Sequence, residues 1–428
     1  MKLTERDKKH VWHPFTPFLS NAPEIRPIVK AKGALLYDEN GSTYIDAVSS
    51  WWVSVHGHSH PKIISAAARQ MKKLDHVIFA GFTHEPGVEL AEKLLSKLPG
   101  EFDKIFYSDN GSTAVEVAIK MALQYWWNKG IPRKKIIAFR HAYHGDTFGA
   151  MSVGERGGFN KPYESFLFDV EHIDIPTLEN YTLVNQNFTE IISTGDVAAF
   201  IFEPLVLGSG GMLMYDAQLL DHLLEIAARH DVICIADEVM TGFYRTGTMF
   251  ACEQLKYKPD IICLSKGLSG GILPLGVTAS SKRIVDAFTS DDRSKALYHG
   301  HSYTGNPITC SAGIAGLVLF ENAYYTDKVF VIIELHKKFK HKLERIGNIS
   351  NVRSCGVILA FDVVSNEPVS YFNSLRDSLY NAFLERGVLL RPLGNTVYIM
   401  PPYVITPGQL KKVYKAIFDV LQTLQLNS

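Results

Sequence analysis

A carboxylate and an amine follow two strand-like segments near the middle of the chain. Asp237 ends the run VICIAD, and Lys266 follows the run DIICLS. In doubly wound sheets, ligands bind at the carboxyl ends of the strands, so both side chains can face one crevice. An isolated pair of this kind is more often an ordinary strand-end ion pair. Pyridoxal phosphate, however, needs both groups: a lysine amine for the imine and a carboxylate that keeps the pyridine nitrogen protonated.

The neighbouring segments favour the cofactor interpretation. Lys266 lies in SKGLSGG, whose small residues permit a close approach of backbone and ligand. The run YSDNGSTAVEVAIK predicts a strand, a turn and a helix that begins near Gly111 and Ser112, where a phosphate or a plain helix cap is expected. Tyr143, in FRHAYHGDT, is predicted at the same sheet edge and is the candidate for stacking on a flat ring. His144, beside it, is interpreted as a residue that orders the loop.

These residues require a scaffold of alternating strands and helices, which is typical of βα units on a mostly parallel sheet. The predicted strands are apolar throughout, which indicates that helices cover both faces of the sheet. The sequence therefore predicts a doubly wound α/β core. The predicted strands are Lys104–Ser108, Lys135–Phe139, Ala198–Phe202, Val232–Ala236 and Ile261–Leu264.

Helices are predicted where apolar residues recur at spacings of three and four. Thr113 and Glu116 are expected to cap one of them. We predict a large domain over residues 51–325 and a smaller α+β domain over residues 326–428, which residues 1–50 complete. The predicted helices are Pro61–Leu74, Pro86–Lys97, Thr113–Trp126, Gln218–Arg229, Asn306–Glu321, Lys328–Ile346 and one near Tyr371–Arg386, and short strands are predicted at Ala34–Tyr37, Thr43–Asp46 and around Val388–Met400.

The composition indicates a small ligand and an intracellular setting. Lys and Arg together number 44 of the 428 residues, as do Asp and Glu, so no charge excess favours nucleic acid or a membrane as partner. The five cysteines never form a CxxC pair, which disfavours a disulfide framework and a metal site. The charged start lacks a secretory signal, and no apolar run reaches the roughly 18 residues of a spanning helix. We expect a cytoplasmic protein.

The chain resembles the class III, or omega, aminotransferases of fold-type I. The resemblance implies that pyridoxal phosphate is bound with Lys266 as the Schiff-base lysine and Asp237 as the partner of the pyridine nitrogen. It makes Tyr143 the ring-stacking residue, and Gly111 with Ser112 the phosphate cradle. The segments that carry it run in the family's order over nearly the whole chain: SDNGSTAVEVAIKMALQYW, YHGDTFGAMSVG, FIFEPLVLGSGGM, IADEVMTGFYRTG, PDIICLSKGLSGG and HGHSYTGNP.

The resemblance also implies a homodimer, because the active sites of the family lie at the dimer interface. Ser302 of the partner subunit would reach the phosphate, and His301 is a further cofactor-binding candidate. This sequence has His301 and Ser302 where many related members have a Pro-Thr pair, and Tyr244 where they have a glycine.

Three further segments resemble family members that aminate 8-amino-7-oxononanoate in biotin synthesis: HVWHPFT, SSWWVSVHGHSHP and GVLLRPLGNTVYIMPPY. That substrate has an apolar chain ending in a carboxylate, which calls for aromatic walls and a bidentate arginine. The resemblance makes Trp51 the substrate-lining tryptophan, Arg391 the carboxylate-binding arginine and Gly300 a substrate contact. The alternatives are core packing for Trp51 and Trp52 and a surface position for Arg391. Arg245 is a secondary candidate for the substrate pocket, with a surface ion pair equally open.

The amino donor is less closely specified than the acceptor. Most members with these segments use S-adenosylmethionine and some use lysine. Phe15 stands where many of them have a tyrosine whose hydroxyl contacts substrate. We predict S-adenosylmethionine as the donor, with lysine as the alternative.

Three other functions would each require different features of the sequence. An omega-aminotransferase acting on ornithine, 4-aminobutyrate or a polyamine would share every cofactor residue and differ in the HPFT, SSWW and RPLG segments. A nicotinamide-dependent dehydrogenase would need a first strand followed by GxGxxG, which the sequence lacks. A pyridoxal-phosphate-binding regulator would need a DNA-binding module, for which the charge balance gives no support.

Overall fold

The computed structural model describes residues 2–18 and 25–426, and its strands form four sheets within those ranges. The strands are β1 (Ile28–Lys32), β2 (Leu35–Asp38), β3 (Thr43–Asp46), β4 (Phe102–Ser108), β5 (Lys135–Phe139), β6 (Glu171–Ile173), β7 (Val197–Phe202), β8 (Val206–Leu207), β9 (Leu213–Met214), β10 (Ile233–Asp237), β11 (Ile261–Leu264), β12 (Gly276–Ser281), β13 (Ile349–Cys355), β14 (Ile358–Val363), β15 (Val388–Leu389) and β16 (Thr396–Ile399).

Helices connect and cover these strands. They are α1 (Leu3–His10), α2 (Ser49–Trp52), α3 (Pro61–Lys73), α4 (Glu85–Leu95), α5 (Gly111–Asn128), α6 (Phe148–Val153), α7 (Tyr181–Ser193), α8 (Ala217–Arg229), α9 (Lys282–Phe288), α10 (Pro307–Phe320), α11 (Ala323–Leu343), α12 (Leu375–Glu385) and α13 (Pro407–Leu426). None of the helices in the described ranges is long and apolar enough to cross a membrane.

The largest sheet has the order β4-β12-β11-β10-β7-β5-β6. Neighbouring strands from β11 to β6 are parallel, whereas β12 runs antiparallel to both β11 and β4. The predicted mostly parallel sheet is therefore confirmed. The strands β6 and β12 were not predicted. β6 is a three-residue strand, and β12 reads GVTASS, which lacks a continuous apolar run.

Helices cover both faces of this sheet, as the apolar strands predicted. Alternate strand residues, such as Ile136, Ile201 and Ile235, pack with the buried side of α5. The intervening residues, such as Phe139 and Phe202, point to the other face and join a larger core with α7 and α8. A strand buried on both faces has no polar alternation, because successive side chains point to opposite faces.

A smaller sheet joins the two ends of the chain. Its order is β1-β2-β3-β15, and β15 runs parallel to β3. A third sheet has the order β13-β14-β16, and α12 packs on β15. The N-terminal strands thus pair with a strand from the C-terminal part. We retain the division into residues 1–50, 51–325 and 326–428 as a proposal.

Candidate active site

Asp237 and Lys266 lie at the carboxyl ends of adjacent parallel strands. Asp237 is the last residue of β10 and pairs in register with Cys263 of β11, and Lys266 follows that strand. Both side chains line one cavity of about 600 Å³ at this edge of the sheet. The sequence predicted this juxtaposition from the strand-end rule.

Lys266 begins a short 3-10 helix and has a φ of 37°, in the left-handed region that non-glycine residues rarely adopt. Its Nζ lies 4.6 Å from the centre of the Trp52 ring. Burial lowers the pKa of the Lys266 amine, while the charges of Asp237 and Glu203 oppose that shift. A lowered pKa increases the share of neutral amine, which is the form that attacks a carbonyl carbon.

His144 fixes the orientation of the Asp237 carboxylate. Its Nδ1–H donates to Asp237 Oδ2 at 2.7 Å, and the backbone N–H of Val239 donates to Oδ1 at 3.0 Å. Both side chains are nearly fully buried. The prediction that His144 orders the loop was incomplete, because the imidazole directly contacts the carboxylate. The loop position beside Tyr143, at the predicted sheet edge, was the sequence signal for this role.

Glu203 is a second buried carboxylate at this edge. It follows β7, and it accepts the backbone N–H of Tyr143 at 3.0 Å and that of Gly208 at 2.9 Å. Burial raises the pKa of Glu203 to about 7, with His144 opposing and Asp237 adding to that rise. We did not single out this residue from the sequence. Its signal was the same as that of Asp237, an acid directly after an apolar strand.

The amino end of α5 opens on the same cavity. Asn110 is the N-cap residue, and its side chain accepts the backbone N–H of Thr113 at 3.0 Å. The predicted capping box of Thr113 with Glu116 is therefore wrong. The Glu116 carboxylate turns to α6 instead, where it accepts the N–H groups of Gly149 and Ala150.

Gly111 and Ser112, the predicted phosphate residues, form the first turn of α5 and line the cavity. The Ser112 Oγ accepts the backbone N–H of Asp146 at 3.2 Å, which ties the helix end to the Tyr143 loop. Gly145 fits between them only because it lacks a side chain: a Cβ there would lie 2.0 Å from Ser112 Oγ. Tyr143 also lines this cavity, and burial and the Asp146 carboxylate raise the pKa of its hydroxyl.

The candidate substrate residues lie in a second cavity of about 420 Å³. Phe15, Trp51 and Arg391 line it, with Tyr371 and Tyr380 among the other residues of its wall. The ring centres of Phe15 and Trp51 are 5.6 Å apart, and the Arg391 guanidinium carbon lies 4.6 Å from the centre of the Trp51 ring. An aromatic wall and a cation thus meet in one cavity.

Trp52 and Arg245 occupy buried positions between these regions. Trp52 lines the Lys266 cavity, and its Nε1–H donates to the Tyr398 hydroxyl at 3.0 Å. Arg245 is only 1% exposed and donates to the backbone oxygens of Trp52 and Pro401, each at 3.1 Å. The alternative of a surface ion pair for Arg245 is therefore wrong. Its guanidinium supports the backbone of Trp52 and does not line either cavity in the described part of the chain.

Gly300, His301 and Ser302 lie apart from both cavities. Their segment runs beside α5, where Lys120 Nζ donates to the Tyr298 backbone oxygen at 2.8 Å. Ser302 is exposed, and so is the neighbouring Tyr303. The fold of this chain thus leaves Gly300 and Ser302 exposed and His301 half-buried, and none of the three lines either cavity.

Comparisons with known proteins match this chain over nearly its full length. A protein of Synechococcus elongatus named adenosylmethionine-8-amino-7-oxononanoate aminotransferase is 46% identical over 426 residues, which cover 97% of this chain and 99% of that protein. A crystal structure of a protein of that name from Methanocaldococcus jannaschii superposes with a TM-score of 0.92 at 37% identity, covering 97% of this chain and 98% of that one.

An amine transaminase from an uncultivated Pseudomonas species, solved in its PLP-bound form, has a TM-score of 0.88 at 29% identity, covering 95% of this chain and 97% of that one. The family model described as aminotransferase class-III matches residues 20–421. The sequence motifs, the fold and these matches agree, and the chain belongs to the class-III aminotransferases.

Proposed function

We propose that this chain is a pyridoxal-phosphate-dependent aminotransferase that converts 8-amino-7-oxononanoate to 7,8-diaminononanoate in biotin synthesis. The observation that carries the proposal is the pair of neighbouring cavities. One contains Lys266, Asp237 and Tyr143, and the other contains Trp51 and Arg391. The relatives with this named activity support the acceptor.

The residues of the Lys266 cavity fit pyridoxal phosphate. The amine, a buried carboxylate, an aromatic ring and the amino end of α5 all open on one space. Lys266 would hold the aldehyde carbon, Asp237 the ring nitrogen, Tyr143 the ring face, and Gly111 with Ser112 the phosphate. When bound, the cofactor supplies an electron sink for the substrate carbon.

The side chains of this site divide the proton chemistry between them. With the cofactor bound, Lys266 Nζ would take a proton from the amine-bearing carbon of the donor. In the second half-reaction it would deliver a proton to the acceptor carbon that gains the amine. The Asp237 carboxylate would pair with the ring nitrogen of the cofactor, and His144 and the Val239 amide orient it by donating to its two oxygens. The donor and the acceptor react in turn at the same lysine, so the first product leaves before the acceptor binds. The kinetics should therefore be ping-pong.

Arg391 is proposed to select the acceptor by its carboxylate. Asp377, which lines the same cavity, pairs with Arg376 at 2.9 Å, and the ring of Trp51 covers one face of the Arg391 guanidinium. A guanidinium so placed can donate two parallel hydrogen bonds to a substrate carboxylate. Phe15, Trp51 and Trp52 would contact the apolar chain, Gly300 would be a further contact from the partner subunit, and Arg245 would act by supporting Trp52.

The proposal includes a homodimer and a cytoplasmic location. His301 and Ser302 lie away from the Lys266 cavity of their own subunit, so a second copy is required for them to reach a phosphate. All five cysteines are unpaired, which is compatible with a reducing compartment.

The decisive assay offers the purified enzyme 8-amino-7-oxononanoate with S-adenosylmethionine or lysine in parallel. We expect diamine formation with S-adenosylmethionine, the proposed donor, and none from Lys266→Ala with either donor. Diamine formation with lysine alone would change the assigned donor to lysine and leave the assigned acceptor unchanged. No product with either donor would exclude the biotin assignment, and ornithine, 4-aminobutyrate and polyamines would then be tested.

Arg391→Ala tests the acceptor site separately. It should raise the KM for 8-amino-7-oxononanoate by about 30-fold or more, because a charge-assisted hydrogen bond is worth ~2 kcal/mol. Arg391→Lys should recover only part of that loss, since an ammonium lacks the planar fork. An unchanged KM in Arg391→Ala would show that a different group binds the carboxylate of the substrate.

A further inference from the structure

The tryptophan segment, Ser49–Trp52, has an unusual backbone. Ser49, Ser50 and Trp52 have φ angles of 51°, 60° and 70°, and Trp51 between them also departs from helical geometry. Positive φ angles are unfavourable for side-chain-bearing residues. Such a segment keeps its shape only where its surroundings hold it in place.

This segment connects the two cavities of the proposed active site. The ring of Trp52 faces the Lys266 amine, at 4.6 Å from Nζ to the ring centre. The ring of the preceding Trp51 covers the Arg391 guanidinium in the second cavity, again at 4.6 Å. Its backbone therefore sets the position of the proposed carboxylate site relative to the reacting amine.

A buried carboxylate holds the first half of the segment. Asp46, at the end of β3, is fully buried and accepts the backbone N–H of Ser50 at 2.8 and 3.0 Å and that of Val48 at 3.2 Å. The His58 Nε2–H donates to the same carboxylate at 2.7 Å. The carboxylate thus satisfies backbone amides that the irregular turn leaves without a helical partner.

The second half of the segment has its own supports. Arg245 donates to the Trp52 backbone oxygen, and the Trp52 ring donates to Tyr398. In the first half, the Ser49 hydroxyl also donates to the Met400 backbone oxygen at 2.9 Å. Asp46 therefore holds the backbone amide of Ser50 in the strained turn, and Arg245 and Tyr398 hold Trp52.

We propose that Asp46, oriented by His58, is a positioning residue for acceptor binding. It holds the tryptophan segment in its strained shape and thereby places Trp51 and Arg391 at the distance from Lys266 that the acceptor requires. The inference rests on the proposed function for the identity of the acceptor. It assigns no role in cofactor binding to Asp46, because Asp46 accepts from Val48 and Ser50, whereas Arg245 and Tyr398 hold Trp52 at the Lys266 cavity.

The test compares Asp46→Asn with a matched control, Asp260→Asn. Asp260 also accepts a backbone amide, that of Cys234, and pairs with Arg283, but it precedes β11 at the opposite end of the sheet. In Asp46→Asn the amide nitrogen would face a donor, so one hydrogen bond is lost. The KM for 8-amino-7-oxononanoate should rise about tenfold, equivalent to ~1.4 kcal/mol. The cofactor's visible absorbance and affinity should stay at wild-type values.

Asp260→Asn should lower the melting temperature and leave the KM for the acceptor unchanged. This result separates a positioning effect from general destabilisation, which lowers the active fraction and not the KM. An unchanged KM in Asp46→Asn with bound cofactor would overturn the inference, and so would an equal rise of KM in both variants.

If Asp46→Asn fails to fold, a second pair of variants tests the positioning role of Asp46. His58→Leu removes the donor to Asp46, whereas His58→Gln keeps one. We expect a raised KM in His58→Leu and a KM within about twofold of wild type in His58→Gln, as a retained hydrogen bond predicts. Wild-type KM values in both would overturn the inference.

Wild-type enzyme assayed in parallel separates the two proposals. If wild type converts 8-amino-7-oxononanoate and the variants match it, only the positioning inference fails. If wild type rejects this acceptor, the proposed function fails, and the variants are compared on the carboxylate-bearing substrate that wild type accepts. A rise of KM there would support the inference and its absence would overturn it.

Discussion

At the scale of single residues, burial changes the charge state of Glu203 in the range of neutral pH. An unfolded glutamate releases its proton near pH 4.5, whereas the folded protein holds this proton until about pH 7. The folded state therefore binds more protons between these values, and its stability falls as the pH rises through them. The loss approaches ~3 kcal/mol above pH 7.

Glu203→Gln removes this pH dependence. The variant should be less stable than wild type at pH 5, because a glutamine cannot accept from both the Tyr143 and the Gly208 amides. The deficit should shrink or reverse by pH 8, where wild type holds a buried charge. Melting temperatures at the two pH values measure this. The exposed control Glu190→Gln should change the melting temperature by the same amount at both pH values. If Glu203→Gln also lowered it equally at both, the raised pKa of Glu203 would be contradicted.

At the scale of elements, the junction between α5 and the Tyr143 loop depends on one missing side chain. Gly145 has a φ of 132°, and a Cβ on it would lie 2.0 Å from Ser112 Oγ and 2.8 Å from Ser112 Cα. Because Cα cannot move without shifting the start of α5, the loop or the helix end must give way. Both of them line the proposed cofactor cavity.

Gly145→Ala should therefore weaken pyridoxal phosphate binding by about tenfold or more, as overpacking commonly costs 1–3 kcal/mol. The dissociation constant is measured by titrating the cofactor-free protein and following visible absorbance. Gly130→Ala is the matched control, because Gly130 follows the other end of α5 with a φ of 72° and a Cβ there would contact nothing within 4 Å. Equal effects in both variants would indicate backbone strain and not the contact with Ser112.

At the scale of the whole molecule, we propose that a second copy of the chain completes the site. Ser302 is exposed, and it does not line the Lys266 cavity within the described ranges. If Ser302 serves the partner subunit, a hybrid of two inactive variants contains one intact site.

Mixing Lys266→Ala with Ser302→Asp tests this arrangement. The introduced carboxylate repels a phosphate, so each variant alone should be inactive. Subunit exchange should restore about a quarter of wild-type activity, because half of the dimers are hybrids and each hybrid has one intact site of two. Mixtures that stay inactive although native mass spectrometry shows hybrid dimers would place Ser302 in the site of its own subunit.

The amino-acid sequence by itself determined five of the seven strands of the large sheet, the burial of both its faces and the meeting of Asp237 with Lys266. These features follow from local rules: apolar runs form strands, and the ends of neighbouring parallel strands meet at one edge. The same rule applied to Glu203 would have found that residue too. The family motifs added the expected cofactor and acceptor.

The tertiary structure alone decided which polar groups contact each other. The bond between His144 and Asp237 and that between Arg245 and Trp52 join residues far apart in the chain. The bond from the Ser50 amide to Asp46 is local in sequence, but it depends on the irregular backbone of the tryptophan segment. Loop conformations and side-chain rotamers set such contacts, and neither has a sequence period. The predicted capping box of Thr113 with Glu116 was wrong for the same reason. Asn110 caps the helix, and the Glu116 carboxylate bonds to the start of α6 instead.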